Sequence, residues 1–219
     1  MKRYNQPIKN QTPGIIDIYM DTFGYKEDGV FVNVGAHDGV SYDVCYPLVQ
    51  ANWSGLQIEP NPAKIEQLKN SMQNYDKIKI LECAASNKNG KDIIYIDDTY
   101  RGNVSTLNNY YATHVYPSTN KLEVEVKTLD SILHEENIAK YFDVLSVDVE
   151  GHETSVLSKF TIQEWMPRLV VIECNKHDSL GDILESGKKR FSIIDDYFIS
   201  NNYEEIYSND INSVYKRKQ

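Results

Sequence analysis

The chain has few of the features that would place it in a membrane, outside the cell or on nucleic acid. Only 3 of its 219 residues are cysteine, and they lie far apart, so neither a disulfide framework nor a zinc site is expected. No apolar run approaches the roughly 18–20 residues of a membrane span, and the polar N-terminal residues predict no secretory signal. A net charge of −9 disfavours phosphate backbones and anionic lipid. We therefore expect a soluble, cytoplasmic protein without nucleic-acid or membrane partners.

Glycine and proline are also scarce, at 11 and 7 residues, whereas 41% of the chain is hydrophobic and can form a core. Short β-branched runs alternate with helix-like stretches, which predicts an α/β fold with a mostly parallel sheet. We expect one domain over residues 1–219, with residues 1–27 as a helical or extended cover and a C-terminal antiparallel hairpin. The predicted strands are residues 30–34, 56–59, 78–81, 93–96, 123–126, 142–147, 169–172, 204–207 and 213–216.

Helices are predicted between these strands. Pro47 gives the helix within residues 41–52 a late start or a kink. Asn61 is the expected N-cap of the next helix, with Pro62 at its first position. Three further helices are expected at residues 129–136, around residues 156–160 and at residues 193–200.

Residues 97–121 show no clear period, and a structureless stretch of this length in a compact domain is typical of a lid or binding loop. The segment is rich in tyrosine, whose amphipathic rings suit ligand sites. We predict that it shapes the pocket for a second ligand, called the acceptor below. Its tyrosines are Tyr100, Tyr110, Tyr111 and Tyr116.

Polar residues collect where the predicted parallel strands end, which is where open α/β sheets bind ligands. The turn Gly35-Ala36-His37-Asp38-Gly39 follows the first strand, and Glu59 ends the second, where a carboxylate can bind both ribose hydroxyls. Both the G-x-G-x-x-G pattern of nicotinamide sites and the P-loop lysine are absent. An adenosine that carries a sulfonium amino acid in place of phosphates, S-adenosylmethionine, fits this combination.

Four sequence blocks, in order, resemble the FkbM family of methyltransferases over roughly residues 28–175. The resemblance implies an α/β class I methyltransferase (Rossmann-like) fold with helices on both faces of the central sheet. It also implies S-adenosylmethionine as methyl donor and a hydroxyl acceptor on a sugar, glycan or polyketide-like small molecule. The blocks are residues 31–39, 55–62, 128–133 and 144–153.

The resemblance further implies roles for individual residues. It places Gly35, Ala36 and Gly39 beneath the methionine moiety, Asp38 and Ser41 near its amino and carboxylate groups, Glu59 on ribose, Pro60 against adenine, Ala85 and Ser86 at the adenine edge, and Asp148 beside the sulfonium or acceptor. Asn33 departs from the family, where this position is commonly acidic. A neutral amide gives no charge assistance, so we expect weaker cofactor binding or a compensating role for Asp38.

Methyl transfer to an aliphatic hydroxyl needs a base or a metal ion. Asp148 is the predicted base or orienting group, with His152 and Glu150 as second choices, and His37 could reach the same crevice. The alternative, which we do not favour, is a Mg²⁺ site of Asp148, Glu173 and Asn175. The remaining histidines are expected to be structural or at the surface. They are His114, His134 and His177.

Two other functions fit part of the pattern. An RNA ribose 2′-O-methyltransferase would need a basic face, and commonly a lysine beside the strand-end Asp148. A non-catalytic protein that binds an adenosine ligand would show cofactor binding without turnover.

Overall fold

The computed structural model describes residues 12–97, 104–115, 117–174 and 190–219. Its helices are α1 (Ile15–Phe23), α2 (Tyr46–Gln50), α3 (Pro62–Met72), α4 (Leu129–Glu135), α5 (Glu153–Leu157), α6 (Ile162–Trp165) and α7 (Arg190–Ser200), with a π-helix at Tyr111–Val115. Its strands are β1 (Val30–Val34), β2 (Ser54–Ile58), β3 (Ile78–Leu81), β4 (Ala84–Ser86), β5 (Gly90–Ile96), β6 (Ser105–Thr106), β7 (Asn120–Thr128), β8 (Val144–Val147), β9 (Leu169–Glu173), β10 (Tyr203–Ser208) and β11 (Asn212–Arg217).

A seven-stranded sheet in the order β10-β11-β9-β8-β1-β2-β3 forms the centre of the molecule. The strands from β9 to β3 pair in parallel, whereas β11 pairs antiparallel with both β9 and β10. The chain moves outward from β1 in one direction through β2 and β3, and then returns to add β8 and β9 on the other side. The sheet order therefore reverses between β1 and β8.

Alternation along β1 explains how this sheet is covered on both faces. Val32 and Val34 face one core cluster, which includes Trp165 and Phe198, and Phe31 faces a second, which includes Trp53. Nearly every residue of β1, β2, β8 and β9 is buried, as expected for parallel strands with layers on both sides. The predicted fold class, with its mostly parallel sheet and C-terminal hairpin, is confirmed.

A second sheet, in the order β4-β7-β5-β6, packs beside the first and was not predicted as a unit. Ile94 and Val126 are buried on its inner side, while the outer side carries ion pairs such as Lys91–Glu123 at 2.7 Å. This sheet brings β6 and the residues after it to the carboxyl edge of the central sheet.

Some element boundaries differ from those predicted. Helix α2 begins only at Tyr46, beside Pro47, as the late-start alternative requires. Helix α5 ends at Leu157, so Phe160 is buried beyond the helix rather than on it. The segment 97–121 is not structureless, because it contains β6, the π-helix and the start of β7. Two of its tyrosines, Tyr100 and Tyr116, lie outside the described residues.

Helix α1 lies within the predicted N-terminal cover and packs through Ile15 and Tyr19 against the second core cluster. Cys45, Cys83 and Cys174 are buried free thiols. Among the described residues, no helix is long and apolar enough to cross a bilayer.

Candidate active site

A cavity of about 520 Å³ opens at the carboxyl ends of β1, β2 and β8, where the order of the central sheet reverses. This is the position at which open α/β sheets bind ligands. Most of the residues singled out from the sequence line it. They are Asn33, Gly35, Ala36, His37, Asp38, Ser41, Glu59, Pro60, Ala85, Asp148 and Glu150.

Three of the predicted cofactor-binding and catalytic residues are not among those lining the cavity. Gly39 faces α3 instead, since a Cβ there would lie 2.5 Å from Leu68 Cδ1. Ser86 Oγ and His152 Nε2 lie 3.0 Å apart and form a hydrogen bond with each other. Burial lowers the pKa of His152, so its imidazole is neutral near pH 7, but its ring is engaged away from the cavity.

Gly35 is the point at which the loops after β1 and β8 touch. Its backbone has a φ of +86°, and a Cβ there would lie 1.7 Å from the carbonyl oxygen of Asp148. The N–H groups of Gly35 and Ala36 both donate to the carbonyl of Ile58 at the end of β2, at 2.9 and 3.0 Å. Only glycine fits this bend, because it combines a left-handed φ with no side chain.

Glu59 is a buried carboxylate held in place by backbone donors. Its Oε2 accepts from the N–H of His37 at 2.8 Å, and its Oε1 accepts from the N–H of Asn61 at 2.9 Å. Burial raises its pKa, and those two hydrogen bonds oppose the rise. Each carboxylate oxygen has two acceptor positions, so one on each remains for a ligand donor. This arrangement suits two neighbouring hydroxyl groups.

Asp38 is committed to its own loop. Its Oδ1 accepts from the N–H groups of Val40 and Ser41 at 2.9 and 2.7 Å. Burial alone would raise its pKa, but hydrogen bonds from His37, Ser41 and Val40 outweigh burial and hold the pKa well below its usual range. Asp38 is therefore ionised at neutral pH and shapes the turn.

The loop after β8 carries Asp148 and Glu150, and Glu150 has a left-handed φ of 53°. Glu153 is fully buried, and its Oε1 accepts from the N–H groups of Val149 and Gly151 at 3.0 and 3.2 Å. Glu153 thus holds the residues on both sides of Glu150, and a left-handed φ at a residue such as Glu150 is typical of functional loops. Glu153 was not singled out from the sequence, although it is an acidic residue in the first turn of α5.

Strand β6 and the residues after it hold the same loop from the other side. Thr106 Oγ1 donates to the carbonyl of Glu150 at 2.7 Å, and Asn108 Nδ2 donates to the carbonyl of Gly151 at 2.8 Å. Ser105 lines the cavity and accepts from the side chain of Asn61 at 3.1 Å. Of the described part of segment 97–121, the residues that line the cavity are Val104, Ser105 and Leu107.

The charge of the cavity lining is strongly acidic. Among the described lining residues, Lys64 is the only lysine or arginine, and burial lowers its pKa despite Asp38 and Glu59 nearby. His37 also faces the cavity, and its Nε2 is buried without a partner in the described chain. A ligand that carries positive charge fits this lining better than one that carries phosphates. The lining carboxylic acids are Asp38, Asp43, Glu59, Asp148 and Glu150.

Two of the three proposed metal ligands come together. Oxygen atoms of Asp148, Glu173 and Glu153 all lie within 4.8 Å of one another, whereas Asn175 lies outside the described residues. Carboxylate oxygens are ligands that Mg²⁺ accepts, but Glu153 already bonds two backbone N–H groups.

Two of the other histidines, His114 and His134, are exposed, as expected, and His177 lies outside the described residues.

Asn33 belongs to a group of buried polar side chains at the central sheet. Its Nδ2 donates to Gln57 Oε1 at 2.7 Å and to Asp43 Oδ2 at 3.2 Å. Neither Gln57 nor Asp43 was identified from the sequence. The available signal was a polar residue at matching positions of adjacent strands, because Asn33 pairs in register with Gln57 and with Ser146.

Comparison with solved structures identifies the class of the fold. The fold is similar to the crystal structure of the FkbM methyltransferase from Methylobacillus flagellatus KT, with a TM-score of 0.55 and 15% sequence identity. The match covers 87% of this chain and 44% of the other, so the present chain spans less than half of that protein. The fold is that of a class I methyltransferase.

The family follows from the sequence comparisons. Residues 33–205 match the model of the methyltransferase FkbM domain. The chain is also 25% identical to "Methyltransferase 1" of Beauveria bassiana (strain ARSEF 2860) over 183 residues, which are 76% of this chain and 72% of that protein. The protein belongs to the FkbM methyltransferase family.

Proposed function

We propose that this protein is an S-adenosylmethionine-dependent O-methyltransferase that acts on a hydroxyl group of a sugar, a glycan or a polyketide-like small molecule. The observation that carries the proposal is the acidic cavity at the reversal of the sheet, with the preorganised Glu59 carboxylate at its edge. Glu59 would accept from both ribose hydroxyls. The acidic lining would favour a ligand with a sulfonium and an ammonium group and oppose a pyrophosphate.

The residues at the end of β8 are suited to the transfer step. Asp148 lines the cavity, next to the bend at Gly35, and would accept the proton of the acceptor hydroxyl. The oxygen would form a bond to the methyl carbon as the carbon–sulfur bond breaks, which leaves S-adenosylhomocysteine as a neutral thioether. Residues Val104, Ser105 and Leu107 form a cavity wall that can contact the acceptor.

Calorimetry tests the cofactor directly. We expect the protein to bind S-adenosylhomocysteine and not NADH, because the cavity offers a ribose-binding carboxylate and an acidic lining. Absence of binding to S-adenosylhomocysteine would overturn the proposal. Incubation with S-adenosylmethionine and a panel of sugars and polyketide alcohols, followed by mass spectrometry, then tests the acceptor class. Cofactor binding without methylation of any panel member would favour a non-catalytic adenosine-binding protein.

Metal dependence can be measured without knowledge of the acceptor. We expect the melting temperature to be the same in EDTA and in MgCl₂, because the Glu153 carboxylate is already engaged by two N–H groups of its own loop. A cation that bound at Asp148, Glu153 and Glu173 would stabilise the folded state by mass action. A rise in melting temperature with MgCl₂ that the Glu173→Gln protein lacks would therefore contradict this expectation.

A further inference from the structure

Asp43 is a buried carboxyl group at the cavity that has no role in the sequence-based predictions or in the proposed reaction. It is 8% exposed and lines the cavity. Its Oδ1 accepts from the N–H of Cys45 at 2.7 Å, and its Oδ2 accepts from Asn33 Nδ2 at 3.2 Å. Within the part of the chain that the structure describes, no lysine, arginine or histidine forms an ion pair with it.

The surroundings of Asp43 make its charge costly in the absence of a cation. Burial raises its pKa to about 7, and the nearby Asp38 carboxylate adds to the rise. Gln57 is fully buried beside it, and its Nε2 has no hydrogen-bond partner in the described chain. A cation bound next to a buried carboxyl group of this kind favours its ionised form.

The other cavity carboxylates near β1 are less suited to hold a cationic ligand group. One oxygen of Asp38 accepts hydrogen bonds from two backbone N–H groups of its own turn, and the carboxylate also accepts one from His37. Glu59 spends one acceptor on each oxygen on backbone N–H groups and faces the ribose in the proposed function. Asn33 carries no charge and points its amide at Asp43 and Gln57.

We propose that Asp43 is the anionic partner of the ammonium group of the bound sulfonium amino acid, and that Asn33 and Gln57 orient it for this role. The inference rests on the proposed function, because it assumes that an S-adenosyl ligand occupies the cavity. It also replaces the sequence-based expectation that Asp38 compensates for the neutral residue at Asn33. The negative charge is supplied from the loop that follows β1 instead of from the strand itself.

Two ligands separate this role from a general effect on the cavity. S-adenosylhomocysteine carries the ammonium group, whereas 5′-methylthioadenosine has the same adenosine and sulfur but lacks the amino acid. We expect Asp43→Asn to weaken the binding of S-adenosylhomocysteine by about 10- to 100-fold, the effect of one charge-assisted hydrogen bond. Binding of methylthioadenosine should stay within about twofold. The control is Asp17→Asn, the same change at an exposed position of α1.

The results distinguish the inference from the proposed function. If the unchanged protein binds S-adenosylhomocysteine and Asp43→Asn binds it equally well, the inference is wrong and the proposed function stands. Equal weakening of both ligands would also overturn the inference, because Asp43 would then support the cavity as a whole. If the unchanged protein binds neither ligand, the proposed function itself fails.

A charge exchange guards against a merely structural defect in the single variant. The double substitution Asn33→Asp with Asp43→Asn keeps one carboxylate and one amide in the same buried contact. Gln57 Nε2 can then donate to the carboxylate on β1 after its amide rotates. We expect the double variant to recover at least tenfold of the affinity for S-adenosylhomocysteine that Asp43→Asn loses. A double variant that folds, by its melting temperature, yet binds no better than Asp43→Asn would contradict the inference.

The pH dependence of binding gives a second readout. A proton on Asp43 competes with the ammonium group, so affinity for S-adenosylhomocysteine should fall as the pH falls through 7. Between pH 8 and pH 6 the expected loss is about tenfold. The other carboxyl, imidazole and amino groups that line the cavity contribute to the pH dependence that remains in Asp43→Asn. They are His37, Asp38, Glu59, Lys64, Asp148 and Glu150. An unchanged pH dependence in that variant would contradict the assignment to Asp43.

Discussion

The Glu59→Ala protein is expected to bind S-adenosylhomocysteine at least about 100-fold more weakly than the unchanged protein. Each hydrogen bond to a charged group contributes roughly 1.5–3 kcal/mol, and Glu59 can accept one from each ribose hydroxyl. The carboxylate is also preorganised, because the N–H groups of His37 and Asn61 fix both of its oxygens before the ligand arrives. Little rearrangement is needed on binding, so the loss on removal is close to the full value of both bonds.

Calorimetry with two ligands shows whether this loss comes from the ribose. S-adenosylhomocysteine and 5′-methylthioadenosine share the ribose, so Glu59→Ala should weaken both, whereas Asp43→Asn should weaken only the first. Glu66→Ala is the matched control, because it makes the same change at an exposed position of α3, the helix that follows Glu59. Unchanged affinity in a folded Glu59→Ala protein would show that Glu59 does not hold the nucleoside.

The parts of the fold that the sequence predicts are those encoded by local patterns. The run Val30–Val34 forms a buried parallel strand, as its three valines and Phe31 predict, and Asn33 is its one polar residue. Helix α3 begins where expected, since Asn61 Oδ1 accepts from the N–H of Ala63 and Pro62 follows the cap. The positions of Gly35 and Glu59 at strand ends follow from those elements.

The second sheet could not be predicted in the same way. Strand β4 has only three residues, two of which are alanine, and it pairs with the distant residues Val126–Thr128 of β7. Strand β6 has two residues and pairs with the end of β5. Such short strands carry no period, and their pairing depends on contacts between residues far apart in the chain. The strand pairing that brings this wall to the cavity was therefore visible only in the structure.

The buried polar group around Asp43 was missed for a related reason. Reasoning from strand ends directs attention to residues that follow a strand, whereas Asn33 and Gln57 lie inside strands and Asp43 lies in the next loop. Their contact depends on the parallel register that places Asn33 opposite Gln57. Glu153 was passed over in favour of its neighbour Glu150, although Glu153 is the residue that fixes the loop. Roles that depend on register and on loop closure need coordinates.

The bend at Gly35 leads to a graded prediction for three glycines with similar left-handed φ angles. Gly14, Gly39 and Gly35 have φ of +84°, +74° and +86°, so alanine at each carries a comparable backbone penalty of about 1–2 kcal/mol. A Cβ at Gly14 meets nothing within 4 Å, one at Gly39 meets the ends of flexible side chains, and one at Gly35 meets a backbone carbonyl at 1.7 Å. We expect the loss of stability to rise in that order.

Thermal unfolding of the three alanine variants measures this order. Gly14→Ala should lower the melting temperature by a few degrees, since 1 kcal/mol corresponds to roughly 2–4 °C in a chain of this size. Gly39→Ala should lose about 1–3 kcal/mol more as the side chains repack. Gly35→Ala should lose the most stability, or fail to fold. The loop after β8 cannot move away without breaking the hydrogen bond from the N–H of Asp148 to the carbonyl of Val34. If Gly35→Ala were no less stable than Gly14→Ala, the close contact between the β1 and β8 loops would be wrong.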